Sequence, residues 1–156
     1  MSVSMDCFVK KDGKYLILQR GPNKRILPNV CLAPGGHIEK SEGLFEATHR
    51  EILEETGLTI KNLKIKASGM AYLKDLDEEF YLHIIVADFD GGELSIEANS
   101  DSKLLWLTPD EISKLPTLKS ELRELLSHIF GETDNVLSYK ATYEQGNELS
   151  SFEIEK

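Results

Sequence analysis

Alternating apolar and polar positions near the start of the chain predict a pair of strands. From Val3 to Lys10 the apolar side chains fall on every second position, as in a strand that buries one face. The opposite, polar face of this strand carries Ser2, Ser4 and Asp6. Lys11-Asp12-Gly13 is typical of a hairpin turn, and the apolar run from Tyr15 to Leu18 is typical of a buried strand. A loop from Gly21 to Pro28 and a segment from Val30 to Ala33 then follow.

Residues 43–56 predict a helix with one apolar flank. Ser41 is a suitable N-cap, and Gly57 stands where helices commonly end in the left-handed conformation. The side chains expected to face the core are Phe45, Thr48 and Ile52. Just before the helix, Pro34-Gly35-Gly36 predicts a tight turn where backbone can approach a ligand closely.

Two further strands are predicted after the helix, over Leu63 to Tyr72 and Phe80 to Phe89. The acidic segment from Lys74 to Glu79 separates them as a loop. The Asp-Gly-Gly sequence at residues 90–92 predicts a turn that ends the second strand.

The remaining segments predict a short strand, two helices and a hairpin. The strand covers Leu104 to Leu107, and Thr108 to Glu111 forms a capping box with proline at the first helical position. A longer helix from about Leu118 to Phe130 has apolar residues on one face. Residues 135–156 alternate on both sides of a turn at 144–147, which predicts a C-terminal hairpin; the alternative is a disordered tail. This order of elements predicts an α/β (α+β) fold.

Composition and charge narrow the class of protein. A chain of 156 residues with 40% hydrophobic and 29% charged residues fits one globular domain. The net charge of −9 argues against binding to duplex nucleic acid, which needs a basic surface. No apolar run is long enough for a membrane helix and no export signal opens the chain, so we expect a cytoplasmic protein that keeps Cys7 and Cys31 as reduced thiols.

An acidic cluster on the predicted helix is the strongest sign of chemistry. Glu51, Glu54 and Glu55 lie within one turn, on an arc of about 100° at about 100° per residue. Such a cluster destabilises a helix by repulsion unless a cation offsets it, and hard carboxylate oxygens suit Mg²⁺ or Mn²⁺. Arg50 can form a charged hydrogen bond to one of these carboxylates and fix its rotamer.

The segment from Gly36 to Leu58, GHIEKSEGLFEATHREILEETGL, resembles the Nudix box. That pattern is Gly, five residues, Glu, seven residues, Arg-Glu-aliphatic, one residue, Glu-Glu, one residue, Gly-aliphatic. All of its specified positions match: Gly36, Glu42, Arg50, Glu51, Ile52, Glu54, Glu55, Gly57 and Leu58. Because so many positions match over so short a segment, the motif is far more specific than a lone glycine pattern.

The resemblance implies an α/β/α sandwich with a mixed central sheet. It implies a Nudix hydrolase domain over residues 1–131, followed by the C-terminal β-hairpin extension at 132–156. The hairpin packs on this domain or on a second copy of the chain, which leaves a homodimer open. The order of elements and the segment from Ser102 to Pro116 are similar to the MutT-like branch. That likeness implies Mg²⁺-dependent hydrolysis of nucleoside triphosphates, 8-oxo-dGTP among them, to monophosphate and pyrophosphate.

Carried over by position, the resemblance implies metal ligands and catalytic residues on the acidic helix. Glu54 and Glu55 are the expected core metal ligands, and Glu51 is the candidate for a further ligand or general base. Arg50 is expected to orient Glu51, and a carbonyl of Gly35 can complete the coordination. Glu42 is expected to tie the loop to the helix.

Residues outside this helix are weaker candidates. We expect Arg20, Gly36 and His37 to contact substrate phosphates. Asp101 is the candidate for another acidic ligand, with Glu97 as its competitor. Tyr72 and Phe80 flank the acidic loop and can stack on a base, although core packing is the simpler interpretation of both aromatic residues.

Three other functions stay open on the sequence alone. The first is hydrolysis of ADP-ribose or a nucleotide sugar. The second is a non-catalytic sensor that binds a nucleotide, against which the intact set Glu51, Glu54 and Glu55 argues. The third is the isopentenyl diphosphate isomerase version of the fold, for which Cys31 lies near the motif but nothing marks it as the acid catalyst.

Overall fold

A mixed β-sheet forms the centre of the protein. The computed structural model describes residues 1–95 and 101–156, and these form nine strands and three helices. The strands are β1 (Ser2–Lys11), β2 (Lys14–Gln19), β3 (Cys31–Leu32), β4 (Gly35–His37), β5 (Leu58–Leu73), β6 (Glu78–Gly92), β7 (Lys103–Leu107), β8 (Leu137–Gln145) and β9 (Glu148–Glu155). The helices are α1 (Leu44–Thr56), α2 (Pro109–Ser113) and α3 (Ser120–Ile129).

The strands follow the order β3-β2-β1-β6-β5-β8-β9, with β4 also paired to β1 and β7 to β2. The pairs β1–β6 and β5–β8 are parallel, and the other pairs are antiparallel. The mixed sheet that the sequence predicted is therefore confirmed.

Helices cover both faces of this sheet. On one face, Ala47 and Ile52 of α1 join Met5, Cys7 and Val9 of β1 in one core cluster. On the other face, α2 and α3 pack over a second cluster that includes Phe8. The two clusters use alternate side chains of β1, as the period of a strand requires. The α/β/α sandwich is confirmed, and both faces of β1 are buried rather than one.

The start of α1 differs from the prediction. Gly43, and not Ser41, is the N-cap, and its N–H donates to the carboxylate of Glu46 at 3.0 Å. Ser41 lies outside the helix with φ +67. Phe45 is exposed, whereas Thr48 and Ile52 are buried as predicted. The left-handed end of the helix at Gly57 is confirmed by its φ of 81.

Two predicted turns are wrong, because the glycines in question lie in strands. Gly91 and Gly92 continue β6 and pair with Thr59 and Leu58, although both have positive φ. Gly35 and Gly36 lie in β4. The paired strand β5 begins at Leu58 rather than Leu63, and bulges interrupt its alternation.

The C-terminal hairpin is confirmed as an ordered element. Its strand β8 runs parallel to β5, with Ala67 opposite Leu137 and Leu73 opposite Tyr143. Tyr139 and Tyr143 are buried in the same cluster as α3. The hairpin thus extends the central sheet. No helix in the described ranges is long and apolar enough to cross a membrane.

Candidate active site

Strand β4 brings two glycines against β1 and α1. Its antiparallel register places Gly35 opposite Asp6 and Gly36 opposite Met5. A Cβ on Gly35 would lie 1.9 Å from the backbone oxygen of Met5, and a Cβ on Gly36 would lie 2.3 Å from the Glu51 carboxylate carbon. Close approach, and not a positive φ, is therefore what requires glycine at both positions.

Arg50 binds one carboxylate in the loop before α1 and two on the helix itself. Its Nε donates to Glu42 at 2.6 Å, and its Nη1 donates to Glu51 at 2.8 Å and to Glu54 at 3.2 Å. Its Nη2 also donates to the carbonyl oxygen of His37 at 3.1 Å. The predicted contact between Arg50 and Glu51 is thus present.

Glu42 serves to join the loop to the helix. Its Oε1 accepts from the Glu39 N–H at 3.0 Å, while both of its oxygens accept from Arg50. These hydrogen bonds from Arg50, together with the bond from Glu39, lower the pKa of Glu42 to about 2. This is the structural role that the sequence predicted for Glu42.

Glu55 is held on the inner side of the cluster. Its Oε2 accepts from the Gly35 N–H at 3.1 Å. Burial raises the pKa of Glu55 to about 7, and the charges of Asp6 and Glu51 act in the same direction. Glu51 packs against Gly36 and Glu55 binds Gly35, so β4 brings the two carboxylates together, while Glu54 is exposed beside Arg50.

The donor chemistry of this cluster fits a hard divalent cation. Carboxylates that lie close to one another repel: the charges of Asp6 and Glu51 add to the effect of burial in raising the pKa of Glu55. A cation between the carboxylates would offset that repulsion. In the ranges 1–95 and 101–156, no three ligating side chains stand preassembled around one point. Glu51, Glu54 and Glu55 would hold the ion after side-chain adjustment, and their roles stay predictions.

A cavity of about 180 Å³ opens beside the cluster. Glu55, Arg20, Gly35, Gly36 and His37 line its polar part. Its apolar walls include Leu18, Leu27, Leu32, Leu73, Phe80 and Leu82. The predicted substrate residues therefore share one cavity with Glu55.

Arg20 and His37 have partners within the protein as well. Arg20 is half-buried, and its Nε donates to the carbonyl of Ile26 at 3.0 Å. His37 is exposed, with its Nδ1 3.4 Å from Ser4 Oγ. Phe80 lines the cavity, whereas the Tyr72 hydroxyl donates to Asp77 at 2.8 Å. Of the two predicted stacking residues, Phe80 lines the cavity and Tyr72 does not, and stacking on a base stays a prediction.

Asp101 contacts the loop that follows β2. Its Oδ2 accepts from Asn23 Nδ2 at 3.3 Å, and a Cβ on Gly21 would lie 1.8 Å from its Oδ1. Its role as a metal ligand stays a prediction. Its competitor Glu97 lies outside the described residues.

Two charged residues of the cavity were missed by the sequence analysis. Asp6 of β1 and Lys119, which precedes α3, both line it; Asp6 is buried and the side chain of Lys119 is largely covered. Asp6 had been assigned to a polar, solvent-facing side of its strand. The signal available for Asp6 was its position as a lone carboxylate between apolar residues. Lys119 had no such signal, because no nearby residue in the sequence indicates which side chains it will contact.

Comparisons with known proteins agree on one family. The family model described as NUDIX domain matches residues 2–129. The uncharacterized Nudix hydrolase YvcI of Bacillus subtilis is 32% identical over 114 residues, covering 71% of this chain and 68% of that protein. The NAD-capped RNA hydrolase NudC of Chromobacterium violaceum is 30% identical over 129 residues, which are 82% of this chain but only 46% of that protein.

A solved structure matches the chain over nearly its whole length. The mutator MutT protein from Bacillus halodurans superimposes with a TM-score of 0.83 at 28% identity, covering 99% of this chain and 98% of that one. The match therefore includes the C-terminal hairpin.

Proposed function

The chain belongs to the Nudix family of hydrolases, which act on diphosphate bonds, and we propose that it hydrolyses nucleoside triphosphates to the monophosphate and pyrophosphate. The proposed cofactor is Mg²⁺ or Mn²⁺, and 8-oxo-dGTP is a candidate substrate. The family generally uses divalent ions and small nucleotide substrates.

One observation carries the choice of substrate class. The likeness to the Bacillus halodurans MutT protein extends over the whole chain, hairpin included, rather than over the catalytic motif alone. The carboxylate cluster beside a cavity with apolar walls supports the same proposal, since a nucleotide needs both a site for its phosphates and a site for its base.

The proposed reaction adds water to a phosphorus of the triphosphate, breaks one bridging P–O bond and releases pyrophosphate. A bound divalent ion neutralises phosphate oxygens and lowers the pKa of a water molecule. Glu54 and Glu55 are proposed to hold the ion, and Glu51 to serve as a further ligand or as the base that accepts the proton of the water. Asp101 is a proposed additional ligand.

The remaining residues position these groups. Arg50 donates to Glu51 and Glu54 through a single nitrogen, Nη1, and so keeps both carboxylates on one side of the helix. The carbonyl of Gly35 is a proposed further ligand. Arg20, Gly36 and His37 line the cavity and are proposed to contact the phosphates.

A substrate panel tests the proposal. The purified protein is incubated with nucleoside triphosphates, 8-oxo-dGTP, ADP-ribose and NAD, with Mg²⁺ or with a chelator, and the products are separated by chromatography. Monophosphate plus pyrophosphate, formed only with the metal, is the expected result. Triphosphates that stay intact while another substrate is cleaved would overturn the choice of substrate.

A second candidate is cleavage of a diphosphate that links two nucleosides or a nucleoside and a sugar, as in ADP-ribose. The identity of 30% with the NudC protein over most of this chain favours it. The chain spans less than half the length of that relative, and the whole-length match is to the MutT protein. We therefore place this candidate second.

A further inference from the structure

We propose that Asp6 and Lys119 bind the uncharged heterocycle of the substrate, and that the C-terminal hairpin holds Lys119 in place for this purpose. The inference rests on the proposed function only in taking the ligand to be a nucleotide. It assigns two substrate-contacting residues and a positioning role for a hairpin that lies outside the Nudix motif.

Asp6 lines the cavity and has a buried carboxylate oxygen without a partner among the residues that the structure describes. Its residue is 8% exposed, and its Oδ2 is the one buried side-chain oxygen or nitrogen in the described residues that lacks a hydrogen-bond partner. A buried carboxylate oxygen without a partner is costly, so such an atom is expected to be satisfied by something that binds. Asp6 lines the cavity, which places a ligand within its reach.

Lys119 brings an ammonium group to the same cavity. Its side chain is 12% exposed and lines the same cavity, and its Nζ lies 3.0 Å from Glu121 Oε1. An ammonium has three donors and no acceptor. Asp6 and Lys119 therefore present an acceptor and a donor to the interior of one cavity, which matches the adjacent donors and acceptors on the edge of a nucleobase.

The charges favour a base over a phosphate at this place. Asp6 brings no positive charge, and Glu121 offsets the charge of Lys119, so the two residues offer a phosphate no net cation. The neighbouring walls are apolar side chains such as Leu73, Phe80 and Leu82, which suit the faces of a flat ring. We place the phosphates with Arg20 and the exposed His37, next to the carboxylates of α1 that would hold the metal ion.

The hairpin fixes Lys119 through its backbone. Asn147, in the turn between β8 and β9, accepts from the Ser120 N–H at 2.9 Å and donates to the carbonyl of Leu118 at 2.9 Å. Ser120 Oγ also donates to the carbonyl of Asn147. Both chain neighbours of Lys119 are thus tied to one residue of the hairpin.

The hairpin also fixes the partner of the Lys119 side chain. Glu121 is fully buried, and the hydroxyl groups of Tyr139 and Tyr143 donate to its two carboxylate oxygens. The Tyr143 hydroxyl accepts in turn from the Glu121 N–H at 2.9 Å. Glu121 cannot turn away from Lys119 without losing these hydrogen bonds, so the ammonium keeps its place beside the cavity.

The first test measures binding without catalysis. Calorimetry on the metal-free protein compares the four common nucleoside monophosphates with ribose 5-phosphate, which has no base. We expect wild type to bind at least one monophosphate about tenfold or more tightly than the sugar phosphate. Lys119→Met should remove most of that difference, whereas Lys114→Met, which changes an exposed lysine, should keep it.

The second test measures specificity. Asp6→Asn replaces a carboxylate with a group that also donates, so the ratio of kcat/KM between the best and worst base should change by about tenfold.

Asn147→Ala should raise KM for every nucleotide with little change in kcat, because it loosens Lys119 and leaves the carboxylates of α1 intact. Ser151→Ala, an exposed change on the same hairpin, is its control.

The outcomes separate this inference from the proposed function. If Lys119→Met is unstable, the double variant Lys119→Met/Glu121→Gln is used in its place, because it removes both charges of the pair. Folded variants that keep the wild-type base discrimination and KM would overturn the inference even if triphosphates are hydrolysed. Base-dependent binding that is lost on changing Lys119 would support it even if triphosphates are not cleaved.

Discussion

Asp6 makes the stability of the metal-free protein depend on pH. Burial raises its pKa to about 7, so the folded protein keeps a proton that the unfolded chain loses from about pH 4. Stability should fall as the pH rises between these values and stay lower above them. Asp6→Asn removes this contribution. At pH 8 the variant should therefore have a higher Tm than wild type, by about 2–4 °C for each kcal/mol gained in the free energy of unfolding. At pH 4 the two proteins should differ little.

Thermal unfolding in the presence of a chelator measures this effect. Asp110→Asn is a matched control, because Asp110 is an exposed aspartate in a salt bridge with Lys114. A lower Tm for Asp6→Asn than for wild type at pH 8 would mean that the carboxylate has a stabilising partner in the folded protein, contrary to its unpaired oxygen.

Glu54 and Glu55 should affect metal binding without affecting folding. Their replacement by glutamine removes charge and keeps volume, so we expect turnover to fall by about 100-fold or more while Tm stays the same or rises. Calorimetric titration with Mg²⁺ should show weaker binding in both variants. Glu124→Gln, on the exposed side of α3, should resemble wild type in both measurements. Unchanged Mg²⁺ affinity in both Glu54→Gln and Glu55→Gln would exclude them as ligands.

The residues of α1 were predictable because their chemistry is local. Glu51, Glu54 and Glu55 share a helical turn, so their spacing alone places them together. Asp6 and Lys119 come to line one cavity only after α3 has packed on the sheet that contains β1, and no spacing along the chain connects them. The sequence therefore predicted the acidic cluster of α1 and missed the two charges that we assign to the base.

Strand β4 offers a comparison between two glycines that look alike in the sequence. Gly35→Ala would drive its Cβ into the backbone of Met5, so β4 would separate from β1, and we expect a loss of about 2 kcal/mol or more of stability. For Gly36→Ala the three nearest atoms all belong to the end of the Glu51 side chain, which can move. We expect it to cost little stability but to lower turnover by displacing Glu51.

Chemical denaturation and steady-state kinetics on the same preparations separate these effects. Ser151→Ala, an exposed change on β9, is the control. Equal losses of stability for Gly35→Ala and Gly36→Ala would contradict the distinction between backbone and side-chain contact.

Elements whose pattern is regular were predicted well, and irregular ones were not. The capping box at Thr108 and the alternation in β8 and β9 gave the correct element. In β5, bulges shift the alternation between Thr59 and Ile60 and again near Lys61, so only its second half had a visible period of two. At Gly91 and Gly92, pairing with the start of β5 overrides a local preference for a turn.

The hairpin should be inseparable from the rest of the fold. Although it comes last in the chain, β8 pairs with β5, and the buried Tyr139 and Tyr143 pack in the cluster that contains α3. A chain that ends at residue 131 would expose one edge of β5 and leave Glu121 buried without its two tyrosine partners. Losing one large core side chain costs about 3–5 kcal/mol, and a whole domain has only about 5–15 kcal/mol of stability.

We therefore predict that the chain ending at residue 131 does not fold, and that intact protein unfolds in one transition. Circular dichroism and Trp106 fluorescence should give the same midpoint, because β7, which carries Trp106, and the hairpin belong to one sheet. A chain that lacks only the exposed Lys156 should behave as wild type. A truncated protein with a cooperative transition near that of wild type would show that residues 132–156 are an independent extension. The positioning role of Asn147, Tyr139 and Tyr143 would then lose its structural basis.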